Sequence, residues 1–206
     1  MSAPVVTPEL YVHAVELGDA ELAAHYAEQL DAPARAAAAW YERPDAIALS
    51  ALHYATRYGL KVLPLTPAAK RPLGGARDCC NGSHRRGCLD ASSDPSLIRW
   101  WFRVHPTANV GIATGHRLDV IDQDGPAGVR AWLDILGAGS PPEVLGVVST
   151  PREGGVHRYI AATGDGNGAA IAPGLDYRGR GGYVVAPPSV VDGRRYSWAQ
   201  TLELAP

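Results

Sequence analysis

The first residues in this 206-residue chain whose type and spacing could do chemistry are two aspartates closing an apolar run, Val120-Ile121-Asp122-Gln123-Asp124-Gly125. Side chains at i and i+2 of a strand share a face, so Asp122 and Asp124 point the same way. Two such carboxylates repel unless a cation sits between them or one takes up a proton. Mg2+ or Mn2+, which prefer oxygen ligands, meets that need. In two-metal phosphoryl transfer the ions lie roughly 3.5–4 Å apart and clamp the attacking and leaving oxygens. Asp-Gly is equally a turn dipeptide, and the pair alone leaves both readings open. A third acid tilts the balance. Asp176, in Gly174-Leu175-Asp176-Tyr177-Arg178-Gly179, follows an apolar residue in a second short extended segment and is what a two-metal cluster would use.

His157 is the next piece. Thr150 to Tyr159 reads as a glycine-containing turn feeding a strand, along which His157 and Tyr159 share a face opposite Val156 and Arg158. Alone, such a histidine is as well read as structural. Beside a carboxylate cluster its N–H can donate to a nucleotide phosphate.

The segment from Asp78 to Cys88 gathers every cysteine in the chain, with one histidine. Cys79, Cys80, His84 and Cys88 make the four soft ligands a structural Zn2+ site wants. The adjacent Cys79 and Cys80 fit that geometry poorly, and a free-thiol loop is the alternative. Arg85 and Arg86 at the tip could meet strand phosphates or simply be solvated.

The elements that must position these groups follow from pattern. Pro8 to Leu17, Asp19 to Leu30 and Pro33 to Glu42 read as helices of an N-terminal extension, 1–45, with no chemistry of its own. Asp45 to Tyr58 is an amphipathic helix stopping at Gly59, and Lys61 to Leu65 is a strand. Residues 66 to 93 form a long loop. Asp94 caps a helix with Pro95 at N1, whose Trp101 packs in the core by helical spacing; Trp100, Trp101 and Phe102 stacking on bases is the competing reading. Asn109 to Thr114 and Leu118 to Asp122 read as a hairpin about Gly115-His116, and Pro126 to Leu136 as a helix. Gly146 to Thr150, Val156 to Ala161, Tyr183 to Ala186 and Tyr196 to Trp198 are further strands. Strands with interspersed helices predict an α+β or α/β domain over 46–206 with a mixed or antiparallel sheet.

Composition bounds the rest. Hydrophobic residues at 46% and charged residues at 19% allow a sizeable core, and a net charge of −2 decides nothing about polyanion binding. No apolar run approaches the ~20 residues of a membrane span. The first thirty residues are acidic and lack a signal-peptide pattern, and three crowded cysteines fit a reducing, cytoplasmic setting. No G-x-x-x-x-G-K-[S/T] occurs.

Taken in order, Asp122-x-Asp124, Gly155-Val156-His157 and Leu175-Asp176 resemble the bifunctional DNA primase/polymerase (Prim-Pol) domain of the archaeo-eukaryotic primase superfamily. The resemblance spans about residues 46 to 206. It takes in the helix ending Tyr58-Gly59, Val62 to Leu65, Lys70-x-Pro72, Ser93-Asp94-Pro95, Trp100-Trp101, Asn109 to Gly115 and Gly181 to Ser189. It implies an RRM-like catalytic sheet and template-directed synthesis of primers or longer strands from nucleoside triphosphates on single-stranded DNA. By the same resemblance Asp122, Asp124 and Asp176 hold two divalent metals and activate a 3′-hydroxyl. His157, Lys70 and Arg178 contact the triphosphate, and a helicase domain or subunit is a partner. Two departures are that Asp124 stands where some relatives carry glutamate, and Gly155 where several carry serine. A non-catalytic nucleic-acid-binding replication-initiator module and a metal-dependent nuclease are the competing functions.

Overall fold

The computed structural model describes residues 20–29, 39–73, 87–139 and 141–205. The chain divides into two units, Met1–Ala46 and Ile47–Pro206. In the first, helix α1 covers Ala20–Gln29. The predicted helices at Pro8 to Leu17 and over most of Pro33 to Glu42 lie outside the described residues.

The second unit is an α+β arrangement of antiparallel sheets with few helices. Helix α2 (Ala46–Tyr58) ends where predicted, at Gly59, whose φ of +65° is open to glycine without strain. Strand β1 (Val62–Leu65) follows, buried along its whole length. Helix α3 (Pro95–Val104) is capped by Asp94, whose Oδ1 accepts the Ser96 N–H at 2.8 Å, and it buries Ile98, Trp101 and Phe102 at i, i+3 and i+4.

Strands β2 (Asn109–Ala113) and β3 (Leu118–Gln123) are present, but they do not form the predicted hairpin. β2 pairs with β1 and with β8 (Tyr183–Val185) in a three-stranded sheet. β3 enters a separate six-stranded sheet, ordered β11-β4-β5-β3-β7-β6. The physical reason is burial: every residue of β2, and all but one of β3, is buried, so each strand needs neighbours on both edges and cover on both faces. The other strands of the large sheet are β4 (Val144–Ser149), β5 (Val156–Ala161), β6 (Gly168–Ala172), β7 (Leu175–Arg178) and β11 (Ser197–Gln200). Strands β9 (Val190–Val191) and β10 (Arg194–Arg195) form a short ribbon.

The alternation along β3 separates two cores. Leu118 and Val120 join Tyr159, Val148 and the residues of α2, α3 and the small sheet. Ile121 turns to the opposite face, where Trp132 of helix α4 (Gly125–Gly137) packs with Ile160 and Leu175. The large sheet is thus covered on one face by the small sheet and its helices and on the other by α4.

Candidate active site

Strand register brings the predicted residues together. Asp122 on β3 lies directly across from His157 on β5 and from Asp176 on β7. Val120, one step back along the same face, lies across from Tyr159 and Arg178. One face of three neighbouring strands therefore carries Asp122, His157, Asp176 and Arg178, and along the same face Val120 and Tyr159 belong to the apolar core.

Asp124 ends the strand and precedes α4. Its backbone N–H donates to the Gly174 carbonyl at 2.8 Å. That bond exists because α4 runs against the β6–β7 turn with no side chain between them: a Cβ on Gly128 would lie 2.3 Å from the Gly174 oxygen. Two glycines thus fix the backbone that presents Asp124, and the same turn starts β7 with Asp176.

Each carboxylate has a basic partner. The Arg178 Nη2 lies 2.7 Å from Asp176 Oδ2 and 3.2 Å from Asp122 Oδ2, bridging the two. Asp176 Oδ1 accepts the Ala170 N–H at 2.6 Å, so both its oxygens are engaged. Asp122 Oδ1 faces His157 Nε2 at 3.5 Å. Asp124 Oδ2 meets Arg152 Nη1 at 2.7 Å, from the turn before β5.

His157 is buried, and desolvation pushes its pKa down to about 4. Asp122 opposes that shift, while Lys70 and Arg178 reinforce it. Its Nδ1 makes no well-formed hydrogen bond, although the Val185 carbonyl favours a proton on the ring. The imidazole is therefore neutral at pH 7 and carries one N–H, a donor without a charge. The Tyr196 ring packs against it at 5.6 Å between centroids. Burial raises both the Tyr196 and Tyr159 phenols, which stay protonated.

Asp122, Asp124, His157, Arg178 and Tyr196 line a cavity of about 240 Å3 with Lys70, Tyr183, Val184 and Val185. Lys70 reaches it from the segment after β1. That segment is closed by Thr66 N–H donating to Arg71 O at 2.8 Å and held by Tyr183 Oη donating to Lys70 O at 3.1 Å. The cavity lining therefore combines two carboxylates, Asp122 and Asp124, with the cationic or neutral donors Lys70, Arg178 and His157.

The donor chemistry of Asp122 and Asp124 fits a hard divalent cation: both offer oxygen, both border the cavity, and both already attract a cationic side chain. Among the described residues no three His, Cys, Asp or Glu side chains gather as a metal cage. Mg2+ commonly binds through one or two carboxylates, with water and substrate phosphate oxygens completing the shell. Asp176 stands one step back, engaged by Arg178 and the Ala170 N–H.

Of the cysteine loop, Cys79, Cys80 and His84 lie outside the described residues, as do Arg85 and Arg86. Cys88 is half-buried, its Sγ donating to the Gly181 carbonyl at 3.1 Å, and burial raises its thiol pKa. Trp101 is fully buried in the core, and Phe102 nearly so.

Three cavity or partner residues carry no local signal in the sequence. Arg152, Tyr183 and Tyr196 reach the site only through strand pairing and the β4–β5 turn. Tyr183 sits in the Gly181 to Ser189 run that sequence reading marks, without a chemical role attached.

A family model described as bifunctional DNA primase/polymerase, N-terminal, matches residues 51–206, the stretch that holds every cleft residue named above. No curated protein matches the chain.

Proposed function

The chain belongs to the bifunctional DNA primase/polymerase family, and on that premise we propose that it is a DNA-dependent nucleotidyltransferase that synthesises primers or extends strands on a single-stranded DNA template. The observation that carries the reading is the juxtaposition of Asp122 with His157 and Arg178 in one cavity that also receives Asp124 and Lys70. Residues 46–206 form the catalytic domain in this reading, and 1–45 a helical extension.

The strand order supports it further. The order β4-β5-β3-β7, all antiparallel, with α4 joining β3 to β4, favours reading the large sheet as RRM-like, with β6 at the sequence position of that fold's second helix.

In mechanism, Asp122 and Asp124 would hold Mg2+ or Mn2+, with Asp176 behind them, and such an ion would supply charge neutralisation for attack of a 3′-oxygen on an α-phosphorus with pyrophosphate as leaving group. Lys70 and Arg178 supply positive charge to the triphosphate. Neutral His157 donates its N–H to a phosphate oxygen, orienting it without competing for the carboxylates. Asp122 and Arg178 are mostly buried and His157 almost wholly so, a setting in which these contacts are stronger than in bulk water.

Incubation with a primed template, labelled nucleotides and Mg2+ or Mn2+ tests the assignment. Lengthened primers support it; shortened strands without incorporation mark a nuclease, and template binding with neither marks a binding module.

A further inference from the structure

Arg152 has no place in the mechanism above, yet it makes one of the shortest ion pairs in the site, Nη1 to Asp124 Oδ2 at 2.7 Å. Its backbone is held. The turn from Thr150 to Gly155 is closed by Thr150 N–H donating to Gly155 O at 3.0 Å and Gly155 N–H donating to Arg152 O at 2.9 Å. The turn leads straight into β5 and His157. Its side chain is held in an exposed pair: Arg152 is 59% exposed, and Asp124 is 41% exposed. Such exposed pairs contribute little, because water and salt screen them and two side chains lose freedom.

Arg178 differs. It is 28% exposed and spans two acids, Asp122 and Asp176. Among the described residues, Arg178 pairs deep in the site with two carboxylates, and Arg152 pairs at its surface with one.

We propose that Arg152 is an exchangeable counter-cation for Asp124, and so a positioning residue rather than a catalytic one. It rests on the reading of Asp122 and Asp124 as the metal-binding pair. With no metal bound, Arg152 offsets the repulsion between the two aspartates and keeps Asp124 turned to the cavity. When a divalent ion arrives, the weak pair opens and the guanidinium is released beside the cavity, where the incoming nucleotide's triphosphate brings new negative charge. No covalent bond changes; one cation replaces another on Asp124. Arg152 therefore competes with the metal before nucleotide binds and assists afterwards.

That opposition is the test. Mn2+ binding is measured by electron paramagnetic resonance or calorimetry without nucleotide, then triphosphate binding at saturating Mn2+. Arg152→Ala and Arg152→Gln are compared with the parent protein and with Arg130→Ala, an exposed arginine on the outer side of α4. The expected result is Mn2+ binding about two- to five-fold tighter in both Arg152 variants and triphosphate binding about two- to ten-fold weaker. Arg130→Ala should change neither. If Mn2+ affinity stays at the parent value in both Arg152 variants, or weakens, the exchange is overturned while the metal pair stands. If the parent protein binds no Mn2+, or binds it equally well as Asp122→Asn, the metal reading falls and the exchange with it.

Discussion

Asp122 and His157 face each other across the β3–β5 ladder, carboxylate to imidazole at 3.5 Å, with His157 the more deeply buried of the two. The pairing explains how a neutral ring sits beside an acid without forming an ion pair: desolvation outweighs the attraction of Asp122 and holds the pKa near 4. A neutral donor beside an acid leaves that acid's charge available to a cation.

The buried ring makes the metal-free protein sensitive to acid. Its pKa in the folded state lies below the ordinary 6.5. Above pH 6.5 the ring is neutral in both states, and its full contribution to stability is present. As pH falls from 6.5 toward 4 the unfolded chain takes up a proton that the folded chain refuses, and stability drops by up to about 3 kcal/mol. Urea denaturation in EDTA across that range should show the decline, and His157→Gln should flatten it. A decline equally steep in the variant would assign the acid sensitivity to other groups.

The contact of Gly128 with Gly174 should tolerate no added carbon. Gly128→Ala places a Cβ 2.3 Å from the Gly174 carbonyl oxygen, so α4 or the β6–β7 turn must shift. The expected cost is about 1–3 kcal/mol. Loss of activity beyond what stability explains is expected too, because Asp124 is hung from that turn. Melting and primer extension on the same preparation separate the effects.

Trp101 tests whether the aromatic run on α3 serves the core or the template. It is fully buried, so Trp101→Ala should cost about 3–5 kcal/mol in denaturation. Binding of single-stranded DNA by the folded fraction should be unchanged. A stable variant with weakened DNA binding would make it a stacking platform instead.

Lys70 should act on nucleotide rather than on folding. Lys70→Ala removes one cation from the cavity wall, and KM for the nucleotide should rise roughly tenfold with a smaller change in kcat. An unchanged KM would remove Lys70 from the triphosphate site.

Much of this was legible in the sequence where the signal is local. The Asp94 cap and the Gly59 stop mark their helix ends by chemistry that acts within one turn. The face shared by His157 and Tyr159 follows from strand period alone. Partnership is not local. β2 and β3 are separated by four residues, Thr114 to Arg117, and read as a hairpin about Gly115, yet near-complete burial sends them into different sheets. β6, Gly-Ala-Ala-Ile-Ala, shows no polar–apolar alternation and carries no strand signal. Arg152 and Tyr196 reach the acids only because β5 and β11 flank β4, a pairing that no short window records. Lys70 carries no signal beyond its place in a family pattern, since an isolated lysine after a strand is ordinarily a solvated one.

The central claim is that Asp122 and Asp124 serve metal-dependent nucleotidyl transfer, and single-nucleotide incorporation into a primed single-stranded template tests it most directly. The parent protein should add nucleotide with Mg2+ or Mn2+ and stop in EDTA. Asp122→Asn and Asp124→Asn, folded by circular dichroism, should each fall by roughly a hundredfold or more. Incorporation by either variant at the parent rate would contradict the account.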